Sequence, residues 1–124
     1  MTFRFEHLHL RSQDAVSAAG FYVETFGARE LSRDGGATVT RVVLDLGGLT
    51  LFIEHAPEAG PSATPPNRGI EHIGLAVDDL DGTVADLKRR GIAFVIDITD
   101  VRPGLRTAFL DGPDGVRIEL LQRG

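Results

Sequence analysis

Two pairs of residues recur at one spacing: His7 and His72 are 65 residues apart (72 − 7), and so are Glu54 and Glu119 (119 − 54). Their surroundings repeat with them. Glu6-His7-Leu8-His9-Leu10-Arg11-Ser12-Gln13-Asp14 and Glu71-His72-Ile73-Gly74-Leu75-Ala76-Val77-Asp78-Asp79 share a Glu-His start, an apolar alternation and an acid where a helix begins. Leu51-Phe52-Ile53-Glu54 parallels Val116-Arg117-Ile118-Glu119, and Arg41 and Arg106 stand at the same period (106 − 41 = 65). A period this long with two copies implies duplication of one module and not a solenoid. Any fold for this chain must seat two related halves.

Hydrophobic periodicity gives each half the same order. Phe3 to Leu10 alternates as a strand, with Phe3, Phe5, His7, His9 and Arg11 on one face and Leu8 and Leu10 on the other. Two imidazoles and a guanidinium suit a wet pocket; the leucines suit a helix packed on the opposite face. A helix capped by Ser12 or Asp14 runs to Phe26 and stops at Gly27. Strands follow over 28–32, 38–46 and 49–55, with turns at Asp34-Gly35-Gly36 and Gly47-Gly48. The proline-rich stretch 57–69 reads as a linker between a first module, 1–56, and a second, 70–124. There the order repeats: a strand over 71–77, a helix over 80–90 ended by Gly91, and strands over 92–98, 105–110 and 116–122. The fold class is α+β: two βαβββ modules within one 124-residue domain, pairing by pseudo-twofold symmetry into a curled, half-barrel-like mixed sheet with helices outside.

Composition narrows the function. The net charge of −5 provides no basic stripe for nucleic acid. Without cysteine there are no disulfides, thiolate ligands or cysteine nucleophiles. No apolar run reaches the roughly 18 residues of a membrane span, and no signal peptide precedes the first strand, so a cytoplasmic protein without membrane contact is expected.

Taken singly, a strand histidine or a glutamate near a terminal strand is usually structural or solvated. The repeat changes that balance. Symmetric pairing of the halves would gather two imidazoles and two carboxylates, and two close carboxylates repel unless one is protonated or a cation joins them. Nitrogen and oxygen donors without sulfur suit a divalent Zn, Ni, Co, Mn or Fe ion.

The chain resembles the vicinal oxygen chelate superfamily: glyoxalase I, methylmalonyl-CoA epimerase, extradiol dioxygenases, fosfomycin resistance enzymes and bleomycin-binding proteins. The resemblance is carried by His7-Leu8-His9-Leu10-Arg11, Phe21-Tyr22 with Phe26-Gly27, the run Glu71–Asp79, and Asp111-Gly112-Pro113-Asp114-Gly115-Val116-Arg117-Ile118-Glu119-Leu120. It implies paired βαβββ modules around a metal whose ligands fall on His7, Glu54, His72 and Glu119, the full set of glyoxalase I. The activity implied is that of a lyase, isomerase or epimerase: proton transfer next to a carbonyl polarised by the ion, with Glu119 and Glu54 as catalytic carboxylates. The alternatives are an Fe(II) extradiol-type dioxygenase and a metal-free drug- or metabolite-binding resistance protein. The implied partner is a small molecule with a carbonyl or adjacent oxygens, and the implied assembly a homodimer. Arg11 stands where glyoxalase I holds a glutathione carboxylate. Glu58 replaces the asparagine usual for that ligand, and carboxylate repulsion argues against glutathione. His9, whose repeat-related position 74 is a glycine, is a further candidate substrate contact. So are Arg102, in an expected lid loop over 100–104, and Arg106.

Overall fold

A computed structural model describes residues 1–62 and 65–124. The chain divides into two compact units, Met1–Pro61 and Ser62–Gly124. Positions 63 and 64 of the expected linker lie outside the described residues. Among the described residues each unit is a four-stranded mixed sheet with one α-helix, so the α+β class with a βαβββ order in each half is observed. No helix among the described residues is long and apolar enough to cross a membrane.

In the first module β1 (Leu8–Ser12) leads into α1 (Ala15–Phe26), followed by β2 (Arg29–Asp34), β3 (Arg41–Leu46) and β4 (Leu49–His55). The sheet order is β1-β4-β3-β2, with β1 parallel to β4 and the other pairs antiparallel. Asp14 caps α1 by accepting from the Ser17 backbone N–H at 3.1 Å, and Gly27 ends it in the left-handed region. The turn at Gly47-Gly48 needs positive φ at both positions, 57° and 99°, and glycine supplies it without a Cβ clash. Alternation along β3 and β4 sends Val42, Leu44, Leu46, Leu51 and Ile53 into a core with Ala15, Ala18, Ala19 and Tyr22 of α1. The other face of the sheet carries His9, Arg11, Arg41, Phe52 and Glu54.

The second module repeats this design with β5 (Ile73–Ala76), α2 (Leu80–Arg89), β6 (Ile96–Arg102), β7 (Leu105–Asp111) and β8 (Arg117–Arg123) in the order β5-β8-β7-β6. Asp79 caps α2 through the Gly82 N–H at 3.0 Å. Leu80, Val84 and Leu87 pack on the face that carries Ala108, Leu110, Ile118 and Leu120. In each half the last strand also secures the helix start: His55 Nδ1 accepts from Ala15 N–H at 3.2 Å, and Gln122 Oε1 from Leu80 N–H at 2.8 Å.

Several expectations are corrected. The first strand begins at Leu8, not Phe3; on the parallel register Phe5 would fall opposite the Gly47-Gly48 turn, so the alternation there has no ladder to join. Phe3 and Phe5 are accordingly 85% and 75% exposed. The strand expected over 92–98 is displaced to β6, Ile96–Arg102, because residues as far as Arg102 find partners on β7. This also removes the expected lid: Asp100, Val101 and Arg102 belong to β6, and Pro103-Gly104 is the short link of a hairpin.

The Arg41–Arg106 correspondence fails as well. Arg41 pairs with Glu54, whereas Arg106 pairs with Gln122 on the helix-facing side of its sheet. There Arg106 bonds Asp81 of α2 at 2.7 and 3.1 Å and Asp100 of β6 at 3.0 Å. These bonds hold the Asp81 carboxyl below its ordinary range and raise the guanidinium further above its own. Because the folded-state pKa of Asp81 is depressed, its contribution to stability is present above the usual carboxylate range and is lost as pH falls through the folded-state value. An Arg106→Leu variant is therefore expected to be less stable than wild type in neutral urea titrations and to converge on it in acid. A gap that is unchanged by acidification would contradict this assignment.

Candidate metal centre

His7 and His72 occupy the same local position, one residue before the first strand of their modules. Each imidazole is braced by the preceding residue: His7 Nδ1 donates to the Glu6 carboxylate, and His72 Nδ1 to Glu71. A carboxylate on Nδ1 fixes the tautomer and ring orientation and leaves the Nε2 lone pair for a cation, as in carboxylate–histidine–metal arrangements. The residues that provide this brace were not singled out from sequence, although the Glu-His dipeptide repeats at the same period and was the available signal.

The second module presents a donor pair. Gly74 lies opposite Glu119 in the β5–β8 register, and His72 Nε2 stands 3.4 Å from Glu119 Oε1. Bonds of about 2.0–2.2 Å meeting at a tetrahedral ion separate neighbouring donors by about 3.4 Å, so the pair fits two ligands of one divalent ion. Phe109, opposite Glu119 on β7, meets the His72 ring edge-on, with centroids 5.3 Å apart. A Cβ at Gly74 would approach Glu119 Oε1 to 3.4 Å, so glycine keeps the space over the carboxylate open.

The first module differs, because its register is two residues out of step with the sequence repeat. Glu54 lies opposite Arg11, not His9, and Phe52 takes the place opposite His9 that Glu119 takes opposite Gly74. His7 consequently stacks on Phe52, with ring centroids 4.1 Å apart and planes 7° from parallel. Arg41 covers the same ring at 4.9 Å. Glu54 is engaged instead by His9, Nε2 to Oε1 at 2.9 Å, and by Arg11, whose Nε is 3.4 Å from the same oxygen.

The structure thus brings His72 together with Glu119, and His9 and Arg11 together with Glu54, while His7 contacts Phe52 and Glu6. Among the described residues no group of three or more His, Asp or Glu side chains is arranged so that it could hold one metal ion. Arg102 is exposed near the end of the β6–β7 hairpin, and Arg106 is committed to Asp81 and Asp100.

Residues 4–120 match the family described as the Glyoxalase/Bleomycin resistance protein/Dioxygenase superfamily. The chain is 30% identical to the YwbC protein of Bacillus subtilis, over 99% of this chain and the whole of that one. It is also 30% identical to a probable chloroplastic lactoylglutathione lyase of Arabidopsis thaliana, covering 98% of this chain but spanning only about a third (36%) of that longer protein. The crystal structure of a glyoxalase family protein from Enterococcus faecalis shares the fold, with a TM-score of 0.80 over 96% of this chain and 97% of that one at 22% identity. With its two βαβββ halves and a match spanning almost its whole length, the chain belongs to the glyoxalase/bleomycin resistance/dioxygenase superfamily, the vicinal oxygen chelate proteins.

Proposed function

We propose that this protein is a divalent-metal-dependent lyase, isomerase or epimerase that moves a proton at a carbon next to a carbonyl. The observation that carries the reading is the His72–Glu119 pair, whose Nε2 and Oε1 lie 3.4 Å apart, the spacing of two ligands on one ion. The residues offered to the ion are His7, Glu54, His72 and Glu119, a nitrogen and oxygen set suited to Zn, Ni, Co, Mn or Fe(II). When bound, such an ion supplies Lewis acidity beside the substrate oxygen.

The remaining steps belong to the chain. A Glu119 or Glu54 carboxylate takes the carbon-bound proton; the C–H electron pair stays with the substrate and delocalises onto the carbonyl oxygen. In an isomerisation the protonated carboxyl then returns the proton to the neighbouring carbon; in an epimerisation the other glutamate, in its protonated form, gives a proton to the opposite face while the first keeps the one it took. The substrate class is a small molecule with a carbonyl or adjacent oxygens, and the functional assembly is a homodimer. Arg11, His9 and Arg102 are candidate contacts for an anionic substrate group. Arg106 is the weakest of the proposed contacts, since two aspartates already occupy it.

A specific observation favours one second reading. Glu54 already bears a guanidinium and an imidazole, which leaves two histidines and one glutamate, the donor set of Fe(II) oxygen chemistry. Elemental analysis of the protein purified without chelator tests both readings. About one equivalent of a divalent transition metal per chain is expected. Iron with substrate-dependent oxygen uptake would select the dioxygenase, and metal-free protein that cannot be loaded would contradict both.

A further inference from the structure

We infer that β5 provides the subsite for a small apolar substituent of the substrate, seated in the space that Gly74 leaves over the Glu119 carboxylate, and that Gly74 sets how large this substituent can be. The subsite rests on the proton-transfer reading, which it extends to substrate choice, and it lies wholly within the second compact unit.

Gly74 is a glycine that its strand does not need. It lies inside β5, where glycine weakens a strand through its extra backbone freedom and its lack of a side chain to pack. Its φ is outside the left-handed region, so conformation does not demand it. Packing does not demand it either: a Cβ there would meet Glu119 Oε1 at 3.4 Å and Leu121 Cδ2 at 3.5 Å, both ordinary contacts. A glycine inside a strand commonly marks close approach by another backbone or by a ligand. Among the described residues no backbone atom beyond its chain neighbours comes within 4 Å of that Cβ position. The ligand remains.

The surroundings set its chemistry. Gly74 is followed across the sheet by Glu119 of β8 and Phe109 of β7, and the next row on that face runs Ala76, Leu121, Thr107. Gly74 and Ala76 are both exposed, so β5 offers a floor without long side chains, walled on the β8 side by Glu119 and Leu121. A methyl-sized group resting on Gly74 stands where the Cβ would be, against the Leu121 methyl and beside the oxygen that takes the proton. An anionic group would meet the Glu119 charge, and a polar one would lose water against Leu121 without gaining a partner there. The first module lacks this floor: the repeat-related residues are His9 and Arg11, whose long polar side chains reach Glu54.

Two measurements on wild type and Gly74→Ala test this. The first needs neither ion nor turnover. In dilute 2-propanol the wild-type protein is expected to show nuclear Overhauser effects from the probe methyls to the Gly74 α-protons and the Leu121 methyls, and Gly74→Ala to lose those at Leu121. Their absence from wild type, or their survival in the variant, would overturn the subsite. The second follows solvent hydrogen exchange in ion-loaded protein with two pairs of probes that differ by one methyl: methylmalonyl-CoA against malonyl-CoA, and the 2-mercaptoethanol adducts of methylglyoxal against glyoxal. For whichever pair wild type turns over, Gly74→Ala is expected to lower the kcat/KM ratio of methyl-bearing to methyl-free probe by about 10-fold or more, the worth of one carbon in an apolar pocket. Its urea unfolding midpoint is expected to be no lower than that of wild type. A smaller fall in the ratio, or a lower midpoint, would overturn the inference. Wild-type protein that makes the 2-propanol contacts but exchanges neither pair would instead overturn the proton-transfer reading, with the subsite standing on those contacts.

Discussion

Replacing Glu119 by Gln is expected to slow solvent-deuterium incorporation into substrate by about 10²–10⁴-fold, the usual contribution of a positioned general base. The amide keeps the shape of the carboxylate and a coordinating oxygen, but it cannot accept a carbon-bound proton. The comparison is made with divalent ion raised to saturation, so that weakened retention in the variant does not pass for lost chemistry. The fold should be indifferent, because the Glu119 side chain is partly exposed and faces away from α2. A variant that regains wild-type exchange once ion is saturating would show that Glu119 holds the ion and moves no proton.

The second large effect concerns packing. Leu110 is fully buried on β7, flanked by Ile118 of β8 in register and packed on the face that receives α2. Leu110→Ala is expected to cost about 2–5 kcal/mol, the range for leucine truncations in close-packed cores. Against a total stability of about 5–15 kcal/mol for a domain of this kind, that is a large fraction. Urea unfolding followed by far-ultraviolet circular dichroism measures it, with Val16→Ala, at a 43%-exposed helical position, as the control expected to change little. A loss below about 1 kcal/mol would show that the helix-facing side of this sheet is not close-packed.

How much of this was legible in the sequence depended on whether a signal was local. The α1 boundaries follow from the Asp14 cap and the Gly27 stop, and β4 from the Gly47-Gly48 turn and the alternation of Leu51 and Ile53 against Phe52 and Glu54. Those features act within a few residues. What failed was set by partners distant in sequence. Phe3 and Phe5 have strand periodicity but join no ladder among the described residues. Asp100, Val101 and Arg102 have a loop-like composition yet find a ladder on β7, where charged residues suit an exposed edge strand.

The candidate site shows the same divide. The period of 65 pointed to His7, Glu54, His72 and Glu119, and the structure joins two of these, His72 and Glu119. It could not reveal that the first sheet is slipped by two residues, since register is decided by cross-strand packing and not by spacing along the chain. That slip gives Glu54 to His9 and Arg11 and sets Phe52 against His7. Arg106 follows the same rule: its repeat with Arg41 holds in sequence, but the strand pairing turns it toward α2 and its aspartates.

Deuterium wash-in tests the central claim most directly. Metal-loaded wild-type protein in heavy water is incubated with the hemithioacetal of methylglyoxal and 2-mercaptoethanol, a thiol without a carboxylate for Glu58 to repel, and separately with methylmalonyl-CoA, and the carbon-bound hydrogens are followed by proton NMR. Proton transfer next to a carbonyl predicts ion-dependent loss of the signal at that carbon with at least one probe, removed by chelator and restored by added Mn(II) or Zn. Exchange that stays at the uncatalysed rate with both probes, in protein shown to hold its ion, would contradict it.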